Sequence, residues 1–347
     1  MNMIEYPDKI SNIALLEDIL TTPSTETVEM FSGIDGDIMI LGIGGKIGPT
    51  LSRMAKRACD QAGVEKRIYG VSLFESEQQR QQIEDIGIET IHGDLLDMDF
   101  INSLPKAKNV FFLAGMKFGS EENISLTWAV NSHMPGLVAD HFKGSNIVAF
   151  STGCVYPMVP VESGGSVETD APGPVGEYAQ SCLGRERMFE YGSKQHQTKV
   201  CLIRLNYSVE LRYGVLVDIA LKVKNQNPID LSMGYFNVIW QSDVNDMVLR
   251  SLEFCESPAK ILNITGPETL SVREVALEFG KLFNVTPEFF NEEAATALLN
   301  NSKAAFQLFG RPKVSTAQFI KWIAGWISEE RELLGKPTHY EVRDGKY

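Results

Sequence analysis

Short apolar runs alternate with stretches of helical period through the first two-thirds of the chain. Ile38 to Leu41, Val110 to Ala114 and Ile147 to Phe150 are apolar without interruption, the pattern of strands covered on both faces. Arg67 to Leu73, Glu89 to Ile91 and Val200 to Leu205 supply further candidate strands. Helical spacing fills the intervals. Leu51, Met54, Ala55 and Ala58 share one face, with Arg53, Lys56 and Arg57 on others. Residues 75–84, rich in Gln and Glu, predict an exposed helix; Ile124 to Phe142 predicts one interrupted at Pro135; Gly176 to Tyr191 predicts another. Buried strands alternating with helices predict an α/β fold built on a doubly wound parallel sheet.

The ends of the chain read differently. Residues 1–36 form an N-terminal extension: Ile13 to Leu20 is amphipathic, Thr21 to Thr25 around Pro23 ends it, and Val28 to Phe31 adds a helical turn. A packing extension is expected, with dimerisation as the other option. Beyond Asn206 the alternation weakens, so residues 37–206 make the sheet domain and 207–347 a smaller α/β region. Ser242 to Phe254 within it predicts a helix that packs back on the sheet domain. Residues 157–177, rich in Pro and Gly, predict a long loop, of a length usually functional or disordered.

Ligands of such sheets bind beyond the carboxyl ends of the strands. The stretch after the first strand is the most informative. Gly42, Gly45 and Gly48 have the spacing G-x-x-G-x-x-G, with Gly44 between them, and they lead from strand into helix. A tight turn, a backbone without side chains and free N–H groups at a helix N-terminus suit a pyrophosphate. A glycine-rich turn without a ligand is the alternative.

A net charge of −13 over 347 residues argues against a nucleic-acid partner and provides no attraction to an anionic membrane surface. No apolar run approaches the ~20 residues of a membrane span. The first residues lack the basic and apolar regions of a signal peptide, so a cytoplasmic location is expected. Cys59, Cys154, Cys182, Cys201 and Cys255 are scattered with no C-x-x-C pair, and the histidines show no ligand spacing; a reducing compartment and no metal site are expected. The expected partner is a small-molecule substrate, with a homodimer as an option.

In their order and spacing these residues resemble the extended short-chain dehydrogenases/reductases, the NAD-dependent epimerase/dehydratase family. The resemblance runs from about Asp37 to Trp326. It is carried by Gly42-x-x-Gly45-x-x-Gly48, Gly93-Asp94-Leu95, Leu113-Ala114-Gly115, Asn131, Ser151-Thr152-Gly153-Cys154-Val155-Tyr156, Tyr178, Ile203-Arg204-Leu205-Asn206 and Thr265-Gly266-Pro267. It implies that Gly42, Gly45 and Gly48 hold the pyrophosphate and that Asp94 meets the adenine. Gly44, Lys46, Ile47, Ser72, Leu95, Ala114, Gly115 and Asn131 complete the expected cofactor contacts. Thr152 is expected to hydrogen-bond the substrate's reacting oxygen and Tyr178, also beside the cofactor, to be the general acid/base. A tyrosine in that role needs help, because a pKa near 10 leaves little tyrosinate at neutrality. In the family, a lysine one helical turn on supplies the charge.

Here that position holds Cys182. A neutral thiol carries no charge and a thiolate has the wrong sign. Three explanations stand open. Another cation substitutes, Lys117 or Arg185. Or Tyr178 is not the base, and Glu177, His133 or Cys182 takes part. Or the protein binds a dinucleotide without turning it over, as a redox sensor or regulatory module.

The cofactor expectation is NAD(P). An acid at the end of the second strand would select NAD; Ser72 stands there, while Lys46 and Arg53 offer positive charge and Glu75 reaching back opposes it, so the reading leans to NADP. Lys117, Asn206 and Arg212 are the expected substrate contacts. Arg212 has the fork for a phosphate or carboxylate, with an ion pair to Glu210 or Asp218 as its alternative. Tyr235, Phe236 and Trp240 line a sugar pocket or, more simply, pack in a core. The function expected is hydride transfer on a sugar, sugar-nucleotide or related hydroxyl or carbonyl compound by an oxidoreductase, epimerase or dehydratase with an altered tyrosine relay.

Overall fold

The computed structural model describes residues 6–346. Helices α1 (Ile13–Thr21) and α2 (Thr25–Gly33) precede strand β1 (Ile38–Leu41), and α3 (Gly48–Ala62) leads to β2 (Ile68–Ser72). Helix α4 (Glu77–Glu84) connects to β3 (Glu89–His92) and α5 (Met98–Ser103) to β4 (Asn109–Phe112). Helices α6 (Ile124–Trp128) and α7 (Met134–His141) lead to β5 (Asn146–Thr152), and α8 (Gly176–His196) to β6 (Lys199–Leu205). Helices α9 (Val215–Lys224) and α10 (Gln241–Arg250) come before β7 (Lys260–Ile264); α11 (Val272–Phe283), α12 (Lys303–Phe309) and α13 (Thr316–Ser328) follow it.

The seven strands form one parallel sheet in the order β7-β6-β5-β4-β1-β2-β3. The chain winds outward from β1 to β3, returns to β4 and winds the other way, so the order reverses between β1 and β4. Every residue of β1 and β4 is buried, as a sheet with helices on both faces requires. One face packs Leu51, Met54 and Ala55 of α3, Phe31 of α2 and Val248 of α10; the other packs Leu104, Val138, Phe142 and Phe189. Each such aliphatic or aromatic side chain contributes about 1.5–3 kcal/mol by leaving water.

The doubly wound sheet is as expected, with differences at its edges. Strand β7 comes from the C-terminal stretch and pairs with β6, so the sheet domain does not end at residue 206. Helices α9 and α10 separate β6 from β7, an excursion that no local pattern reveals. Helix α10 packs on α1, α2 and α3. The helix after β4 is not interrupted at Pro135. A π-turn over Ala129–His133 lies ahead of it and joins α6 to α7. Residues 157–177 are fixed: Val159–Pro160 pairs with Thr296–Ala297, and the Glu168 carboxylate accepts from the Asn263 backbone N–H at 2.9 Å.

The second core lies under the C-terminal region. Leu16, Ile19 and Leu20 of α1 join Phe279 of α11 and Trp322 and Trp326 of α13, so the N-terminal extension packs as part of the body. Trp240 stacks on Phe319 with ring centroids 6.1 Å apart, and Phe236 is buried beside it in the same core. These two rings therefore pack rather than line a pocket.

Candidate active site

The cleft opens where the strand order reverses. Gly42, just past β1, has φ +88, and a Cβ there would stand 2.5 Å from the Ala114 backbone nitrogen, just past β4. Only glycine allows the two loops to approach so closely. Gly48 is the first residue of α3, and its Cβ would stand 2.1 Å from the Ile43 carbonyl oxygen. No side chain caps α3 at Ile47, so its first N–H groups face the cleft uncapped. A cavity of about 390 Å³ lies beyond them.

Among the expected site residues, this cavity brings together Gly42, Gly45, Lys46, Ile47, Gly48, Gly115, Lys117, Thr152, Tyr178 and Asn206. Gly44, Ser72, Asp94, Leu95, Ala114, Asn131 and Arg212 are not on its wall. Ser72 is close by: its hydroxyl would meet a Cβ on Gly44 at 2.7 Å, and Gln79 from α4 donates to the Gly44 carbonyl at 2.9 Å. Asp94 is exposed and accepts from the Leu96 N–H, while Leu95 is buried in the core under the sheet. Arg53 lines a separate groove against α1. Arg212 is turned away, its guanidinium held by Glu17 at 2.8 Å and Glu210 at 3.0 Å. That is the ion-pair alternative for Arg212, and it replaces the expected substrate contact.

Thr152 ends β5 and accepts from the Cys154 N–H at 3.1 Å, which fixes its hydroxyl at the strand end. Tyr178 lies in the first turn of α8, where the helix dipole favours negative charge. The two hydroxyls are hydrogen-bonded to each other. Burial raises the Tyr178 phenol well above its ordinary range, with Cys182 and Cys154 acting in the same direction; Arg185 and the Thr152 hydrogen bond pull it back. Cys182 itself is fully buried among Val155, Tyr156 and Tyr178, and burial pushes its thiol up to about 11. It is a neutral packing group at neutral pH.

The cation acting on Tyr178 is Arg185. It lies two turns on along the same face of α8 and its guanidinium is on the cavity wall. One nitrogen donates to the Phe150 carbonyl at 2.8 Å and another to Asn131 Oδ1 at 2.7 Å. Its Nε is buried without a partner among the described residues. The adjacent acid, Glu186, is committed instead to a buried pair with Arg204 at 2.7 Å and to Ser151 at 2.6 Å. The π-turn places Asn131, whose amide also donates to the Met116 carbonyl at 2.8 Å and to Ser181 at 3.0 Å. Gly115 leaves the space: a Cβ there would stand 2.5 Å from an Arg185 nitrogen. Asn131 is thus a support for the wall rather than part of it.

Lys117, 5.9 Å from the Tyr178 ring centroid, donates to the Thr338 carbonyl at 3.1 Å, and burial lowers its pKa. Lys46 reaches across to the Tyr213 ring, 3.3 Å from its centroid, with Phe118 at 4.7 Å. Burial, Lys117 and Lys336 bring its amine down to about 7 against the opposing pull of Asp218. Glu177 accepts from the Trp128 indole at 2.6 Å and His133 is exposed, so neither faces the cavity. Sequence reasoning missed Thr338: it lies on a tail without regular structure, and only the closed fold brings that tail over the cleft. Among the described residues no three His, Cys, Asp or Glu side chains cluster as metal ligands, and no helix is long and apolar enough to cross a membrane.

A model of the NAD dependent epimerase/dehydratase family matches residues 38–209. No curated protein matches the chain. Solved structures share its fold. UDP-glucose 4-epimerase from Thermotoga maritima, with UDP-glucose, is 15% identical, with a TM-score of 0.70 over 85% of this chain and 99% of that one. UDP-glucose 4-epimerase from Thermus thermophilus, in complex with NAD, is 20% identical, with a TM-score of 0.68 over 83% and 97%. The dTDP-glucose 4,6-dehydratase from Streptomyces venezuelae, with NAD and TYD bound, is 15% identical, with a TM-score of 0.69 over 84% and 97%.

Proposed function

Residues 38–209 belong to the NAD dependent epimerase/dehydratase family, and from that membership and the cleft geometry we propose an NAD(P)-dependent oxidoreductase, epimerase or dehydratase. It exchanges hydride with a sugar, sugar-nucleotide or related hydroxyl or carbonyl compound. The observation that carries the reading is the Thr152–Tyr178 hydroxyl pair, placed on the cavity wall opposite the glycine loop. The neighbouring structures hold UDP-glucose, NAD, or NAD with TYD, which supports the substrate class at the same coarse level.

The glycine cradle suits a dinucleotide. The Cβ-free walls at Gly42 and Gly48 and the uncapped start of α3 provide close backbone approach and N–H donors for the pyrophosphate. When bound, the nicotinamide supplies the hydride acceptor or donor. The protein does the rest. Thr152 holds the substrate oxygen. Tyr178 moves a proton at that oxygen, and Arg185 supplies the fixed positive charge that the family's lysine supplies elsewhere.

The first test is to denature the purified protein, identify any released nucleotide by mass spectrometry, and titrate the stripped protein with NAD(H) and NADP(H). Retained NAD supports an epimerase or dehydratase; exchangeable NADP supports a reductase or dehydrogenase and the reading of Ser72. Failure to bind any form overturns the proposal. At the ribose end, Ser72→Asp is expected to shift preference toward NAD by about tenfold, since a carboxylate bonds the ribose hydroxyls and repels a 2′-phosphate. Gly48→Ala is expected to cost about 1–3 kcal/mol of stability, read from the denaturant midpoint, because its Cβ must displace backbone.

A second reading, a redox sensor that binds without turnover, is favoured by the neutral Cys182 at the lysine's place. Turnover of any substrate at an ordinary enzymatic rate excludes it.

A further inference from the structure

The charges on the cavity wall are all of one sign. Lys46, Lys117 and Arg185 line it, and among the described residues no Asp or Glu does, in a chain whose net charge is −13. Three cations concentrated in one low-dielectric cleft of an acidic protein focus anions there. The start of α3 already offers a pyrophosphate its N–H groups. Lys46 leaves that loop and reaches the Tyr213 ring on the opposite wall, in the C-terminal region. There it comes within the field of Lys117, which stands beside Tyr178.

The space is also small. About 390 Å³ is near the lower end for a single ligand, and the glycine loop on its wall commits part of that to the dinucleotide. The C-terminal tail narrows it. Thr338 is on the wall, tied to the Asp218 carboxylate through its N–H at 2.8 Å and its hydroxyl at 2.5 Å. Tyr340 is buried in the core behind, and Arg343 holds the tail to the Thr296 carbonyl at 2.9 Å.

We propose that the substrate is a small sugar acid, whose carboxylate is held by Lys46 and Lys117 while Thr152 and Tyr178 address its reacting oxygen. The proposal rests on the NAD(P)-dependent reading above. The groups that face Lys46 are Lys117 from the loop after β4, Lys336 from the tail, Asp218 from α9, and the rings of Tyr213 and Phe118. Asp218 opposes the two lysines, and burial keeps the Tyr213 phenol protonated. With its amine near 7, Lys46 is charged below neutrality and loses its hold on an anion as the pH rises through that value.

The test uses the full chain saturated with NADH or NADPH, with nicotinamide fluorescence followed during titration. The probes are D-glucuronate against D-glucose, D-galacturonate against D-galactose, and D-gluconate against D-glucitol. At least one acid is expected to bind about tenfold or more tightly than its neutral partner, the scale of a hydrogen bond to a charged group. Lys46→Gln is expected to abolish that preference. Lys46→Arg is expected to keep the preference and move its loss to higher pH, because a guanidinium stays charged. Equal binding of acids and neutral partners, or binding of no acid, overturns the proposal. So does a Lys46→Gln protein that loses NAD(P)H affinity and keeps acid affinity, since the anion at Lys46 is then the pyrophosphate. A wild-type chain that binds no NAD(P)H refutes the underlying reading, and the inference falls with it; cofactor binding without acid binding refutes the inference alone.

Discussion

Tyr178→Phe is expected to lower kcat/KM by about 10²- to 10⁴-fold, the range for loss of a positioned acid or base, with dinucleotide affinity within about threefold of wild type. The substitution removes one oxygen. Its partners are the Thr152 and Cys182 side chains, and the ring that remains packs on Val155 and Tyr156. Melting temperature is therefore expected to change little, which separates a chemical effect from a folding one. The pH dependence sharpens the test. The buried phenol is held above its ordinary range, so at neutral pH it is protonated and ready to donate in the reducing direction. In the oxidising direction it must first lose that proton. Below the phenol's pKa the tyrosinate fraction rises about tenfold per pH unit, and the wild-type rate should climb with pH accordingly. Tyr178→Phe should flatten that climb. A variant with undiminished kcat/KM and an unchanged slope would remove Tyr178 from the chemistry.

Much of this site was legible because it rests on local rules. Gly42, Gly45 and Gly48 follow an apolar strand and open a helix, and the backbone contacts that demand glycine there involve the next loops of the same sheet. Thr152 and Tyr178 were named through the family resemblance, which expects them at a strand end and near a helix start. What was not legible depends on closure. Strand β7 joins the sheet only after an excursion through α9 and α10. Thr338 reaches the cleft from a tail with no periodicity. Arg212 looked like a ligand for an anion, yet its two acids come from Glu210 nearby and Glu17 in the N-terminal helix, and only the second of these is distant in sequence. Lys117 and Arg185 were both candidates for the missing charge. Choosing between them needed the position of Asn131, which the π-turn sets, and the space left by Gly115.

Arg185→Met is expected to lower kcat/KM by about 10- to 10³-fold and to leave the melting temperature within a few degrees of wild type. A cation within a few ångströms of an ionising group shifts its pKa by about 1–3 units, which sets the range. The stability side follows from the cost of burying charge. Arg185 is only 5% exposed, its neighbour Glu186 is committed to Arg204, and its Nε has no partner among the described residues. A buried guanidinium so placed offsets little of its own desolvation, and an apolar side chain of similar length avoids that cost. Against this, the Phe150 carbonyl and Asn131 Oδ1 each lose a donor, at about 1 kcal/mol apiece. The two effects oppose each other, so the net change in stability is small. A residue that stabilises the fold little but carries charge to the phenol paired with Thr152 is there for chemistry. Removing it raises the pKa of Tyr178 further, so the rise of the oxidising rate should move to higher pH. Arg185→Lys retains the charge on a shorter donor set and should recover part of the rate and part of the shift. If Arg185→Met unfolds the protein instead, and Arg185→Lys restores stability without altering the pH profile, the guanidinium is a structural clamp between β5 and the π-turn, and the altered relay must be built on Lys117.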